Sequence, residues 1–296
     1  MDIIKINGHS GYIPGNTNVG VYSYKNGYCM LVDSGINNTA GRRISEGLAG
    51  AGLKPKYLMN THAHTDHYGG NRVLKELYPG LSCYASEQEA AFMRMNELEG
   101  YTLYGAHPYK RMRDEMFYAR EFQVDGTISP GSAEFDGKKF EVLPLRGHTV
   151  GQIGLMTDDG VAYVGDGIFD GKRLDMYVPF LCDVEAQYGT LDLLEHTEAG
   201  WFVLGHADEV YEDIRPLVKR NRDSLDEYAG MILELLDQPK TLGGLAAEVF
   251  ILKDIDIDLK HYYTCMAGVK AFVSYLLDKN EITNGVQDGR LYFYRG

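Results

Sequence analysis

Within the segment Thr61-His62-Ala63-His64-Thr65-Asp66-His67, three imidazoles and a carboxylate crowd together directly after a strand-like run and directly before a helical one. A strand-to-helix loop can aim several side chains at one point. Imidazole and carboxylate are the donors that suit zinc, iron or manganese. Without a cation, such crowded histidines would gain nothing and would repel one another when protonated. The H-x-H-x-D-H spacing is far more specific than an ordinary short pattern. Three further candidates each stand beside glycine after a short apolar run: His148 in Gly147-His148-Thr149, Asp166 in Gly165-Asp166-Gly167 and His206 in Gly205-His206-Ala207. Glycine beside a ligand lets backbone approach closely. Singly, each of these is an ordinary turn. Their shared context joins them to the first cluster.

The elements that must position these residues follow from patterning. Gly20 to Tyr24 and Tyr28 to Val32 read as strands joined through Asn26-Gly27, a strong hairpin pair. Asn38 to Ala51 reads as a helix with Gly52 beyond its end, Tyr57 to Asn60 as a short strand, and Gly70 to Leu77 as a helix stopped by Pro79-Gly80. Strands return at 139–145, 152–157, 161–165 and 201–204, with a helix near 191–198. Residues 86–122, rich in Met, Tyr, Arg and Glu, read as a helical insertion. From about residue 212 the spacing of Ile214, Leu217, Leu225, Tyr228, Ile232 and Leu236 gives one long amphipathic helix. Two shorter helices follow, then a hairpin around Gln287-Asp288-Gly289.

These motifs resemble the metallo-β-lactamase superfamily, whose pattern is H-x-H-x-D-H followed by a His, an Asp and a final His. The resemblance covers about residues 12 to 210 and fills every ligand position. It implies an α/β (α+β) fold, an αβ/βα sandwich with a dinuclear site at one edge. By that likeness His62, His64 and His148 hold one ion, Asp66, His67 and His206 the other, and Asp166 bridges them. The two divalent ions are zinc foremost, with iron or manganese as alternatives. Asp33, in Leu31-Val32-Asp33-Ser34-Gly35, would either hold ligand histidines in place or simply turn the chain. Such a site hydrolyses by activating water, with Asp66 also steering protons. No thiolate stands at a ligand position, Cys182 included, and His64 stands where the flavodiiron oxidoreductases carry Glu. The Gly147-His148-Thr149-Val150-Gly151-Gln152-Ile153 and Gly165-Asp166-Gly167-Ile168-Phe169 runs resemble glyoxalase II-like thioesterases, although the tail does not resemble their glutathione-binding tail.

Residues 1–211 are thus expected to form the catalytic domain, and 212–296 a winged-helix-like domain. The chain of 296 residues carries a formal net charge of −13, which argues against nucleic acid as partner. The tail, residues 211–296, holds 11 Lys and Arg against 14 Asp and Glu, and its last expected helix, Tyr262 to Asp278, has one lysine, Lys270, and one aspartate. A winged helix built for DNA should be basic there. No membrane span, signal peptide or cysteine pair is visible, so a cytoplasmic protein is expected, with homodimerisation left open.

The leading reading is a hydrolase of a small thioester, lactone or ester. A metal-dependent nuclease or phosphodiesterase using the tail is the alternative, and a metal sensor a third. Tyr177, in the loop between Asp166 and His206, is the expected oxyanion or substrate hydrogen-bond donor. Met93, Met95, Tyr101, Tyr104, His107, Tyr109, Met112, Met116, Phe117 and Tyr118 of the insertion would line an apolar pocket, or else form their own core or a dimer contact. His107, His196 and His261 lie off the pattern and read as ordinary histidines.

Overall fold

The computed structural model describes residues 2–113 and 120–296. Among these, a first sheet runs in sequence order through β1 (Ile4–Asn7), β2 (Ser10–Ile13), β3 (Val19–Ser23), β4 (Tyr28–Val32), β5 (Lys54–Met59), β6 (Ser82–Ala85) and β7 (Gly126–Thr127). Its first four strands are antiparallel and β4 to β7 are parallel. A second sheet joins β8 (Gly131–Phe135), β9 (Lys138–Pro144), β10 (Ile153–Thr157), β11 (Val161–Gly165) and β12 (Trp201–Leu204), antiparallel except for β11 with β12. The Asn26-Gly27 turn closes β3 onto β4, with Gly27 at φ +79°.

The central strands of both sheets are buried on both faces, and the period of two along each sorts the side chains. In β4, Met30 and Val32 face the other sheet, while Cys29 and Leu31 face the helices α1 (Asn38–Gly50) and α3 (Asn71–Leu77). In β11, Val161 and Tyr163 point inward, and Ala162 and Val164 point outward. The Tyr163 hydroxyl crosses the sandwich to donate to Gly11 O at 2.8 Å. The short helix α2 (Thr65–Tyr68) follows β5, and the insertion forms α4 (Glu87–Arg94) and α5 (Glu97–Tyr104).

On the outer face of the second sheet lie α6 (Gly171–Leu174), α7 (Val184–His196), α8 (Arg215–Leu235), α9 (Leu242–Leu252) and α10 (Leu259–Asp278). A hairpin of β13 (Ile282–Gln287) and β14 (Arg290–Arg295) ends the chain, turning through Asp288 and Gly289 at positive φ. The helix–helix–helix–hairpin order of the tail is therefore present. Helix α7 begins earlier than its apolar spacing suggests, because the Asp183 carboxylate caps it by accepting from Ala186 N. The hairpin β1–β2 has no clear sequence signal, since β1 is half to fully exposed and its alternation is lost. No described helix is long and apolar enough to cross a membrane.

The tail shares the sandwich's core. Val164, Phe202 and Leu204 of the second sheet belong to one apolar cluster with Leu191 of α7, Tyr228 of α8, Val249 of α9 and Phe272 of α10. Tyr228 and Phe272 stack with ring centroids 5.7 Å apart. Phe272→Ala should cost about 3–5 kcal/mol of stability. Urea unfolding followed by the fluorescence of the single tryptophan, Trp201 in β12, should coincide with loss of helical dichroism. Two separated transitions would show the tail to be an independent unit.

Candidate metal centre

The residues singled out in the sequence leave one edge of the sandwich together. Asp33 follows β4, His62 to His67 follow β5, His148 follows β9, Asp166 follows β11 and His206 follows β12. The flanking glycines are sterically required. A Cβ on Gly205 would lie 2.3 Å from Asp166 Oδ1, and one on Gly147, at φ +128°, would lie 2.6 Å from Gln187 Cα.

Ligand-type atoms gather in three overlapping groups: His62, His64 and His148; His62, His67 and Asp166; and Asp66, His67 and His206. His64 Nδ1 lies 3.0 Å from His62 Nε2 and 2.8 Å from His148 Nε2. His67 Nε2 and His206 Nε2 are 3.3 Å apart, each 3.4 Å from an oxygen of Asp166, and Asp66 Oδ2 is 3.1 Å from His206 Nε2. His62 and His67 are wholly buried.

The other nitrogen of every ring faces an acceptor. His62 Nδ1 meets Thr61 Oγ1 at 3.0 Å, while that hydroxyl donates to Asp33. His64 Nε2 meets Glu99 at 3.2 Å, and His67 Nδ1 meets Asp33 Oδ2 at 2.8 Å. His148 Nδ1 donates to Phe180 O at 2.6 Å, and His206 Nδ1 to Asn16 O. The outer nitrogens therefore hold the protons, and the inner ones present bare lone pairs to one another. Asp166 Oδ1, buried in the same spot, has no hydrogen-bond partner among the described residues. Converging lone pairs and an unsatisfied carboxylate oxygen need cations between them. The donor set fits divalent metals.

Electrostatics point the same way. Burial, with His67 and His64 nearby, drives His62 well below its ordinary pKa, and burial beside His64 lowers His148 to about 3. Burial also opposes charge on His67 and His206. There the neighbouring carboxylates win: Asp166 and Asp33 raise His67, and Asp166 with Asp66 raises His206 to about 9. Asp166 is held well below the carboxylate range despite its burial, chiefly by His206 and His67.

Two carboxylates that no local pattern marks brace this cluster. Glu89 of α4 is buried and accepts from Ala63 N at 2.7 Å, Thr149 Oγ1 at 2.8 Å and Gly151 N at 2.8 Å, tying the His62–His67 loop to the His148 loop. Glu99 of α5 holds His64. Asp33 takes the first of the two roles open to it, buried against His67 and Thr61.

A cavity of about 590 Å³ opens on the cluster, lined by His64, Asp66, His148, Asp166 and His206 on one side. Phe169, Leu174, Val178, Pro179 and Phe180 form an apolar wall, and Tyr177 also faces it. Among the described residues, the insertion contributes Glu99 to this lining and none of its Met or Tyr residues, which for those residues corrects the apolar-lining alternative. Met93 and Met112 are core, whereas Met95, Tyr101, Tyr104 and Tyr109 are exposed. His107 is a surface residue bonded to Tyr101; Met116, Phe117 and Tyr118 lie outside the described residues. His196 lies on the surface at the end of α7. His261 is no ordinary surface histidine, for it stands in the cavity wall.

The metallo-β-lactamase superfamily model matches residues 12–206, most of the chain. The chain belongs to this superfamily. It is a superfamily hydrolase with a buried His/Asp cluster of the dinuclear type. A hydroxyacylglutathione hydrolase of Gloeobacter violaceus is 28% identical over 155 residues, covering 50% of this chain and 51% of that protein. Hydroxyacylglutathione hydrolase GloC of Haemophilus influenzae is 32% identical over 120 residues, covering 40% and 52%. The matched part thus spans about half the length of these curated relatives. Among solved structures, a metallo-β-lactamase family protein of Thermus thermophilus superposes with TM-score 0.75 at 22% identity over 97% of both chains. A β-lactamase domain protein of Burkholderia ambifaria gives 0.77 at 17%, over 100% of this chain and 94% of that one. These two show the fold, the tail helices included.

If the braces set metal affinity, their loss should weaken binding without unfolding the chain. Asn tolerates the left-handed backbone at position 33 (φ +67°), so Asp33→Asn removes the charge and one of the two acceptor oxygens without straining the chain. D33N and Glu99→Gln should each weaken metal binding about 10–100-fold in competition with a chromophoric chelator, with dichroism unchanged. Wild-type affinity in both would refute the bracing role.

Proposed function

We propose that this superfamily hydrolase cleaves a small carbonyl substrate, a thioester or an ester or lactone. In this reading His62, His64 and His148 hold one divalent ion and Asp66, His67 and His206 the other, with Asp166 between them. Zinc is the first choice for this donor set, with iron or manganese as alternatives. Bound there, the ions lower the pKa of water to about 7 and polarise the oxygen under attack. The observation that carries the proposal is the convergence of bare imidazole nitrogens on an unsatisfied Asp166 oxygen at the floor of a partly apolar cavity.

The chain's own residues then bind and orient. The wall of Phe169, Leu174, Val178 and Phe180 takes an apolar portion of the substrate. Tyr177, whose hydroxyl has no partner among the described residues, donates to the developing oxyanion. Asp66, less buried than Asp166, moves protons between the site and solvent. The relatives named hydroxyacylglutathione hydrolase support a thioester. The tail's helix order supports a winged-helix-like module, used as cavity wall and not as a nucleic-acid reader. Free cysteines throughout support a reducing compartment such as the cytoplasm.

Thioester or lactone turnover by the metal-loaded protein should disappear with chelator and return with metal. His62→Ala should lower it by more than about 10²-fold, since loss of a ligand exceeds loss of its brace. Tyr177→Phe should lower kcat with metal content unchanged. Turnover of phosphodiesters or RNA at low salt, without any acyl turnover, would overturn the proposal in favour of the nuclease reading.

A further inference from the structure

The tail places one titratable side chain in the cavity. His261, in the first turn of α10, lines it together with Thr264 and the ligand residues. Its orientation is fixed from two sides. Asp258, the cap of α10, accepts from both His261 N and His261 Nδ1 at 2.8 Å. Tyr177 stacks on the ring, with centroids 4.4 Å apart and planes 12° from parallel. With Nδ1 occupied, Nε2 is left without a partner among the described residues. A carboxylate on one nitrogen and a free second nitrogen is the arrangement by which an imidazole is held ready to move a proton.

The metal cluster lies between two cavities. A second one, about 510 Å³, shares Gly15, Asn16, Asp66, Arg173 and His206 with the first. Beyond the shared ligands, its charged lining groups are Arg43 and Arg173, which stay protonated and cannot pass a proton. In the first cavity, the other charged groups outside the ligand set are Glu99, Asp170, Lys172, Arg173 and Asp208. Glu99 is engaged with His64, Asp170 caps α6, and Lys172 pairs with Asp208. His261 is left as the group suited to proton transfer.

We infer that His261 is a catalytic residue that protonates the departing group, and that the leaving arm of the substrate occupies the first cavity, against His261 and Tyr177. The inference rests on the acyl-hydrolase reading above. Water adds its oxygen to the carbonyl carbon, and the bond from that carbon to sulfur or oxygen breaks with its electron pair on the departing atom. That atom takes the proton from His261 Nε2. The imidazole regains a proton from solvent, and the acid product loses one to it.

The test is the dependence of rate on leaving group. A thiolate or an activated phenolate departs without help, whereas an alkoxide needs a proton. Metal-loaded wild type and His261→Gln are assayed on one acyl group carried as a thioester, a p-nitrophenyl ester and an alkyl ester. H261Q should lose about 10²-fold in kcat on the alkyl ester and less than about 3-fold on the other two, with metal content unchanged. Asp258→Asn, which keeps the helix cap, should show a smaller loss with the same selectivity. Equal losses on all three substrates, or no loss, would overturn the inference while leaving the acyl-hydrolase reading intact. A wild type that cleaves none of the three would overturn that reading, and this inference with it.

Discussion

Five imidazoles are forced together with their lone pairs facing inward, and the rest of the molecule is arranged around tolerating that. Left alone, nitrogens 2.8–3.3 Å apart with no proton between them repel. The fold answers with acceptors on the five outer nitrogens, each from a different place: the end of β4, the end of β5, the insertion, the loop before α7 and the loop after β2. Asn18 adds a further tie, its amide donating to Leu204 O and Ala207 O on either side of His206. No single element could supply these acceptors. The sandwich edge can, because the carboxyl ends of five strands meet there.

That convergence explains why the site was easier to read in the sequence than its supports. His62 to His67 occupy one loop, so spacing alone betrays them. His148, Asp166 and His206 each follow a short apolar strand and touch a glycine, and a Cβ would strike Gln187 at Gly147, Thr61 at Gly165 and Asp166 at Gly205. Glu89 and Glu99 carry no such mark. In the sequence they are two acids among many in a polar, Met- and Tyr-rich stretch, and only the docking of α4 and α5 reveals what they hold. The same blindness affected His261. Asp258 and His261 look like a helix cap and a first-turn histidine, which they are; that the helix lies along the cavity is a tertiary fact.

Fold legibility divides along the same line. The strands of the inner sandwich and the long helix α8 show in their periodicity, because burial on defined faces imposes it. The exposed strand β1 and the two-residue β7 do not, since edge strands need little apolar alternation. The insertion misled for a related reason. Met93 and Met112 serve the core, Tyr101, Tyr104 and Tyr109 face outward, and Tyr104 and Tyr109 meet Tyr263 of α10, so composition among the described residues there records packing between segments.

The tail's acidity follows from where it sits. A module meant to hold nucleic acid would turn a basic face outward, and α10 has only two lysines, Lys260 and Lys270, in its twenty residues. Its inner face instead completes the apolar cluster with the second sheet, and its first turn reaches the cavity. Without α10, Tyr177 would lose the ring it stacks on, and the loop carrying it would lose the backing of Gly268, where a Cβ would lie 2.4 Å from Pro179 O. So close an approach of helix to loop is what brings a histidine far beyond the last ligand in the chain to the cavity wall. The first turn of α10 is thus part of the cavity wall, through His261 and Thr264, and the net charge of −13 is that of a protein whose acids are spent partly on holding imidazoles.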